Sequence, residues 1–286
     1  MMDSGSILIT GATGQQGGAV ARELLARGYQ VRGMTRQPEG EKAQTLAKLG
    51  AEIVRGDLDD AASLAGAVQG AWGVFSVQNT WEAGVEKEEE QGKRFAKISK
   101  DAGVRHFVYS SVGSAHRKTG IPHFENKWRI EETVRGLGFP SYTVIRPVFF
   151  MENLASPLFK PGIKEGKLTV GIKPATVLQM IAVADIGKYG AWAFENHDKL
   201  NGRAIDIAGD AKTMPQTATI IGAAADRKIE FIPTPIEEVR KFSEDYALML
   251  EWFDAVGYNA DIKGLAKESG IRPTTLAQWA ATIDWS

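Results

Sequence analysis

Gly11, Gly14 and Gly17 are spaced three residues apart, between an apolar run and a helical pattern. The run is Ile7 to Thr10, and the helical spacing covers residues 19 to 26. A glycine turn between a strand and a helix directs backbone N–H groups and the positive end of the helix dipole at one place, which suits a pyrophosphate. An ordinary loop is the alternative, but the order of strand, turn and helix favours a dinucleotide site. The residues predicted to bind in this turn are Gly11, Ala12, Thr13, Gly14, Gln15, Gln16 and Gly17.

The second predicted strand ends at Thr35 and Arg36, where the adenosine ribose of a dinucleotide would lie. An Asp or Glu at this position would hold both ribose hydroxyls of NAD, whereas a guanidinium suits the 2′-phosphate of NADP. The sequence therefore predicts NADP(H) in preference to NAD(H). The alternative is that Arg36 is only a solvated charge at the end of a strand.

His123 and Lys127 are four residues apart and share one face of a predicted helix. This spacing suits a proton donor and an ammonium that binds a ribose. Ser110 and Ser111 end the preceding strand, where a hydroxyl can bind a substrate carbonyl or the nicotinamide. The candidate catalytic residues are Lys127, His123 and Ser110. The alternatives are a surface lysine beside an unrelated histidine, and serines that only begin a turn.

Further candidates follow the other predicted strands. Asp57 and Leu58 follow the third strand and are expected beside the adenine, although Asp57 also suits the N-cap of a helix from residue 59. Trp81 is expected to pack in the structure more than to contact substrate. The remaining cofactor candidates, near the nicotinamide half, are Gln78, Asn79, Thr80, Pro147, Phe149 and Phe150. The two phenylalanines also suit the core of a second lobe.

The alternation of apolar strands with helical segments predicts an α/β fold, a Rossmann-type doubly wound parallel sheet with a smaller interleaved α/β C-terminal lobe. We expect residues 1–150 to form the dinucleotide-binding lobe, with 184–209 rejoining it, and residues 151–183 and 210–286 to form the smaller lobe. Residues 151–183 show little periodicity and suggest an irregular segment or lid. The acidic run 86–90 is interpreted as a solvated helix face without chemistry.

Composition excludes several function classes. The chain has 286 residues, 43% of them hydrophobic, and a formal net charge of −1, so it offers no global electrostatic case for binding nucleic acid or a membrane. It has no cysteine, which excludes disulfides, thiolate catalysis and cysteine metal sites. The histidines are scattered and indicate no metal site. We expect a cytoplasmic protein.

These motifs together resemble the NmrA-like, or HSCARG-like, branch of the atypical short-chain dehydrogenases/reductases. The resemblance covers nearly the whole chain, and it implies a Rossmann lobe with an interleaved smaller lobe and NADP preference at Arg36. The matching segments are the glycine turn 11–18, Thr35-Arg36, residues 56–60, 79–82 and 91–93, His123-Phe124 with Lys127, residues 151–154, and 182–187.

The chain departs from working short-chain dehydrogenases at the catalytic position. Those enzymes use Tyr-x-x-x-Lys, whose phenol transfers a proton while the lysine binds the ribose and lowers the phenol pKa. His123 stands where the tyrosine would be, and non-enzymatic sensors in this family look similar in having His-Phe-x-x-Lys there. Histidine can nevertheless itself protonate a carbonyl or quinone oxygen. Some NmrA-like relatives are quinone or dye reductases without the tyrosine.

Two functions therefore stay open. One is an NADP(H) redox sensor or regulator that acts on a protein partner or as a homodimer, and the missing tyrosine favours it. The other is an NAD(P)H-dependent reductase of a quinone, enone or carbonyl substrate. An exposed aromatic patch around Trp252, without a substrate-sized pocket beside the nicotinamide near His123, would favour the sensor; Trp252 belongs to a stripe of residues 242, 246, 249, 252 and 253. The usual meaning of such a stripe is core or a partner interface.

Overall fold

The computed structural model describes residues 5–286, which form two compact units. The first unit comprises the described residues up to Ala115, together with His123–Arg146 and Ile186–Ile205. The second comprises His116–Pro122, Pro147–Asp185 and Asp206–Ser286. Each unit is thus built from separate stretches of the chain.

The secondary structure alternates between strands and helices through the first unit. The strands are β1 (Ser6–Ile9), β2 (Val31–Thr35), β3 (Glu52–Arg55), β4 (Ala71–Ser76), β5 (His106–Ser110), β6 (Ser141–Pro147), β7 (Phe149–Phe150), β8 (Lys167–Val170), β9 (Val177–Ile181), β10 (Ala204–Ile207), β11 (Asp210–Thr213) and β12 (Glu230–Pro233). The α-helices are α1 (Gln15–Ala26), α2 (Glu41–Lys48), α3 (Ala61–Val68), α4 (Thr80–Ala83), α5 (Val85–Asp101), α6 (Pro122–Gly136), α7 (Lys160–Lys164), α8 (Val183–Glu195), α9 (Met214–Ala224), α10 (Ile236–Phe242), α11 (Glu244–Ala255), α12 (Ile262–Ser269) and α13 (Leu276–Ala280). Short 3₁₀ helices lie at Ala115–Arg117 and Met151–Ala155.

The main sheet has the strand order of a doubly wound fold. Within residues 5–286 it has seven strands in the order β10-β6-β5-β4-β1-β2-β3, and the pairs that join β3, β2, β1, β4, β5 and β6 are parallel. The strand order reverses between β1 and β4, which is where such sheets bind ligands, at the carboxyl ends of the strands. The predicted α/β fold class is confirmed.

The core of the first unit explains why these segments are strands. Ile7, Leu8 and Ile9 of β1 are fully buried, as expected for a parallel strand covered on both faces. One hydrophobic cluster joins the strands to α3, α5 and α6. Its members include Leu8, Val74, Phe107, Tyr109, Val144, Leu64, Val68, Phe95, Ile130 and Val134.

The second unit contains two smaller sheets. One has the order β11-β9-β7, with β11 antiparallel and β7 parallel to β9, and the other pairs β12 with β8 in parallel. The segment 151–183, which the sequence predicts to be irregular, holds α7, β8 and β9. That prediction is wrong because short strands of four or five residues show too little periodicity to stand out.

The aromatic stripe of α10 and α11 is mainly core. Met249, Trp252 and Phe253 are buried, while Phe242 at the end of α10 is 80% exposed. Ser243 separates the two helices, because its side chain accepts a hydrogen bond from the Tyr246 N–H and caps α11. Trp252 is only 9% exposed, so it forms no exposed aromatic patch.

Among the described residues, no helix combines the length and the apolarity needed to cross a bilayer.

Candidate functional site

The glycine turn after β1 brings backbone N–H groups to the start of α1. Gly11 has φ +58°, a left-handed conformation that side chains disfavour. A Cβ on Gly17 would lie 2.4 Å from the carbonyl oxygens of Thr10 and Gly11, so glycine lets α1 begin this close to β1. Gly14 is the N-cap of α1, and within the described chain no side chain caps this helix and no acid lies in its first turn. The positive end of α1 is therefore open to an anion.

The other residues of the turn differ in burial. Ala12 is buried, Thr13 is half-buried and Gln15 is exposed. Gln16 accepts a hydrogen bond of 2.7 Å at its Oε1 atom from the Ser110 hydroxyl. This bond ties the carboxyl end of β5 to the glycine turn.

Two buried polar atoms lie just beyond β4 and β5 without a partner. Gln78 donates from Nε2 to the Ser76 hydroxyl at 2.9 Å, but its Oε1 atom has no hydrogen-bond partner among the described residues. The Ser111 hydroxyl likewise has no partner in the described chain. Asn79 caps α4 by accepting a bond of 3.2 Å from the Trp81 N–H. Because a buried polar group without a partner costs free energy, Gln78 and Ser111 fit a polar ligand at this edge.

Lys127 on α6 forms a buried ion pair with Glu88 on α5. Lys127 Nζ lies 2.5 Å from Glu88 Oε1, the lysine side chain is 12% exposed and the carboxylate is fully buried. The Oε2 atom of Glu88 accepts a bond of 2.8 Å from Asn126 Nδ2 and another from the Thr80 hydroxyl. Burial raises the pKa of Glu88, but the charge of Lys127 and these hydrogen bonds outweigh it and lower the pKa below its usual value. Glu88 is therefore ionised at neutral pH.

The acidic run 86–90 is not uniformly solvated. Glu88, Gly92, Phe95 and Ser99 are buried, and they follow one another at steps of four, three and four residues along α5. The interpretation of this run as a solvated face is wrong for Glu88, because Lys127 compensates its charge inside the protein.

His123 lies one turn before Lys127 on α6 and packs between two aromatic rings. Its ring centroid is 5.3 Å from that of Trp81 and 4.8 Å from that of Phe124. His123 is 6% exposed, whereas Trp81 is 64% exposed. Trp81 is therefore not a core residue, because only part of its ring is covered by this contact.

Arg36, just beyond β2, forms an ion pair with Glu82 on α4. Both side chains are more than half exposed, at 62% and 54%. A guanidinium held by an exposed carboxylate is accessible to a competing anion from solvent.

Asp57 and Leu58 follow β3 and are half-buried. Asp57 accepts a bond of 3.0 Å at its Oδ1 atom from the Asp59 N–H. The N-cap of α3 is Asp60, whose side chain accepts from the Ala62 N–H. The alternative that Asp57 caps this helix is wrong, because the helix begins at Ala61 and not at residue 59.

The candidates Pro147, Phe149 and Phe150 belong to the second unit. Pro147 is buried and the two phenylalanines are half-buried. Phe149 pairs with Met180 and Phe150 with Ile181 across β7 and β9. These phenylalanines are thus held in place by the sheet of their own unit.

Comparison with known proteins decides the family. The sequence profile of the NmrA-like family matches residues 3–283. The chain belongs to the NmrA-like family.

A curated relative carries the same family domain. The NmrA-like family domain-containing oxidoreductase malD of Malbranchea aurantiaca is 39% identical over 172 residues, which cover 55% of this chain and 51% of malD. The chain thus spans about half the length of this relative in their alignment.

Two solved structures share the fold of this NmrA-like chain at low identity. Triphenylmethane reductase of Citrobacter sp., complexed with NADP(H), has a TM-score of 0.81 and 21% identity, covering 97% of this chain and 99% of its own. NmrA, a negative transcriptional regulator in complex with NAD, has a TM-score of 0.82 and 20% identity, covering 99% of each chain. Such likeness shows the fold and not the activity.

Helix α4 links several of the predicted site residues of the NmrA-like chain. Thr80 contacts Glu88, the partner of Lys127, while Trp81 contacts His123. Glu82 on the same helix holds Arg36. Ser110 joins the glycine turn instead, through Gln16. Arg36, Thr80, His123 and Lys127 are therefore connected through α4, and Ser110 and Gln16 form a separate pair.

Sequence reasoning missed Glu82, Glu88 and Asn126. The signal for Glu88 is the inward stripe of α5, because Glu88 lies seven residues before the buried Phe95 and therefore on the same face of the helix. Glu82 and Asn126 have no such signal, because their partners come from other elements of the fold.

Proposed function

We propose that this chain binds NADP(H) and acts as an NADPH/NADP⁺ sensor or regulator. The residues of the first unit fit a dinucleotide. Gly11 and Gly17 allow α1 to begin close to β1, and the positive end of α1, which no side chain in the described part of the chain caps, suits the pyrophosphate. The unpartnered polar atoms of Gln78 and Ser111 suit the nicotinamide half. When bound, the nicotinamide supplies hydride chemistry.

The proposed preference for NADP(H) rests on Arg36. It lies at the end of β2, where an acid would select NAD, and its guanidinium already holds the carboxylate of Glu82. The 2′-phosphate of NADP(H) would replace that carboxylate on the guanidinium. We assign cofactor binding to residues 1–150 with 184–209, and partner or substrate contact to residues 151–183 and 210–286.

The observation that carries the regulatory proposal is the buried pair of Lys127 and Glu88. An ammonium 2.5 Å from a carboxylate has little net charge with which to lower the pKa of a neighbouring acid. Lys127 is therefore poorly suited to activate a proton donor at position 123, whereas the N–H groups of its ammonium that Glu88 does not engage can donate to the ribose. His123 is also held between Trp81 and Phe124.

The test measures binding and turnover on the same preparation. NADPH binding is followed by calorimetry, and NADPH oxidation is followed with a panel of quinones, enones and carbonyl compounds. We expect binding without oxidation above the protein-free rate. Turnover that disappears in both His123→Ala and Lys127→Ala would contradict a function limited to sensing.

The second candidate is an NAD(P)H-dependent reductase of a quinone, enone or carbonyl. It is favoured by the buried Ser111 hydroxyl, which is free to donate a hydrogen bond to a substrate oxygen, and by the similarity to malD, which is named an oxidoreductase. In that function His123 or a serine would supply the proton. The buried position of Trp252 removes one surface that would have supported a protein partner.

A further inference from the structure

We infer that Glu88 is a positioning residue, which holds the ammonium of Lys127 in place for the nicotinamide ribose. This inference rests on the proposed binding of NADP(H) at Lys127. Glu88 is fully buried and acts through Lys127, without touching the cofactor itself.

The carboxylate of Glu88, on α5, is fixed by three side chains from two other helices, α6 and α4. Its Oε1 atom binds Lys127 of α6 at 2.5 Å. Its Oε2 atom accepts hydrogen bonds from Asn126 of α6 and from Thr80 of α4. Because both oxygens are engaged, the carboxylate has one orientation, and the flexible stem of Lys127 is held in one place.

The packing of α5 on α6 explains how the two side chains meet. Gly92 lies one turn beyond Glu88, and Ile130 lies three residues beyond Lys127. A Cβ on Gly92 would lie 2.6 Å from the Ile130 Cδ1 atom, so the helices approach closely at this level. The close approach brings Lys127 within reach of Glu88.

Glu88 also compensates the charge of Lys127 inside the protein, where the lysine side chain is only 12% exposed. Tyr109 of β5 also interacts with Glu88, and its phenol pKa is raised well above its usual value by burial and by the charges of Glu88, Glu131 and Glu89. Tyr109 therefore stays neutral and leaves the pairing of Glu88 with Lys127 undisturbed.

The first experiment compares two ligands by calorimetry, NADPH and adenosine 2′,5′-bisphosphate, which lacks the nicotinamide ribose. In Glu88→Gln we expect the Kd for NADPH to rise about tenfold, because the ammonium of Lys127 is no longer held in place for its charge-assisted contact with the nicotinamide ribose. The Kd for the bisphosphate should stay within about twofold, because that ligand does not reach Lys127. Equal losses for both ligands would overturn the inference, since general damage to the fold affects both.

The matched control is Glu89→Gln, the next acid on α5. Glu89 pairs with Lys93 at 2.6 Å and Arg129 at 2.7 Å and is not part of the Lys127 site. We expect its NADPH affinity to equal that of the wild type. A loss of NADPH affinity in Glu89→Gln as large as that in Glu88→Gln would overturn the inference.

Two further variants cover the case in which Glu88→Gln unfolds. Glu88→Asp retains the charge and should keep part of the affinity. The double variant Glu88→Gln/Lys127→Met carries neither charge and should bind NADPH as Lys127→Met does. Weaker NADPH binding by the double variant than by Lys127→Met would overturn the inference. NADPH affinity unchanged in Lys127→Met would instead contradict the proposed function, so the two failures can be told apart.

Discussion

Two ion pairs near α4 differ in how firmly they are held. Lys127 and Glu88 form a buried pair with further hydrogen bonds to the carboxylate, whereas Arg36 and Glu82 pair in solvent with side chains 62% and 54% exposed. Breaking a buried pair leaves a charge without compensation, while an exposed pair contributes about 0–1 kcal/mol. The first pair is therefore a fixed part of the fold, and the second is exchangeable for a ligand phosphate.

The largest effect is expected when Lys127 is removed. Lys127→Met leaves the Glu88 carboxylate buried without its cation, and the free energy of unfolding should fall by about 3 kcal/mol in urea denaturation. The control is Lys93→Met, which breaks a pair near the surface and should cost about 0.5 kcal/mol. Equal losses of unfolding free energy in the two variants would show that the buried pair stabilises the fold no more than the pair near the surface.

Removing the exposed cation should change ligand choice instead of stability. Arg36→Asp should raise the Kd for NADPH about thirtyfold, because the 2′-phosphate loses a charge-assisted contact and meets a carboxylate. NADH, which lacks the phosphate, should bind nearly as before. Calorimetry with both cofactors makes the comparison, and an equal loss of both would assign Arg36 a structural role.

The buried pair also predicts that the stabilities of the wild type and of Lys127→Met respond to pH in opposite directions. In the wild type the pKa of Glu88 lies below its ordinary value of 4.5, so its stabilisation is present above that pH and is lost as the pH falls. In Lys127→Met, burial raises this pKa, so the variant regains stability as the pH falls from neutrality. The difference in unfolding free energy should shrink by about 1–2 kcal/mol between about pH 7 and about pH 4. A constant difference would contradict the buried, ionised carboxylate.

The smallest effect concerns the carboxylate of the exposed pair. Glu82→Gln frees Arg36, and the affinity for NADPH should rise about two- to fivefold with that for NADH unchanged. Glu86→Gln, an exposed acid on α5, serves as the control and should change neither value. Weaker NADPH binding in Glu82→Gln would mean that this carboxylate does not compete with the 2′-phosphate.

The fold of the first unit was predictable because its signals are local. Apolar runs such as Ile7 to Ile9 and the glycines of the turn mark strands and breaks directly in the sequence. The prediction of an irregular segment over residues 151–183 failed, because the patterns of α7, β8 and β9 are brief.

The candidate site was predictable only in part. The positions of Gly11, Arg36 and Lys127 follow from strand ends and helix spacing. Glu88 could not be singled out within the acidic run 86–90, because burial of a carboxylate depends on a cation from another helix. The pairing of Glu82 could not be predicted either, since its partner Arg36 lies 46 residues away in the chain. Pairings of this kind are fixed by tertiary packing.

The central claim is that the first unit holds NADP(H) through Arg36 at the adenosine end and Lys127 at the nicotinamide end. Calorimetric titration of the wild-type protein with NADPH and NADH tests it most directly. The account predicts that both bind, with NADPH at least about tenfold tighter. Equal affinity for the two cofactors, or no binding of either, would contradict it.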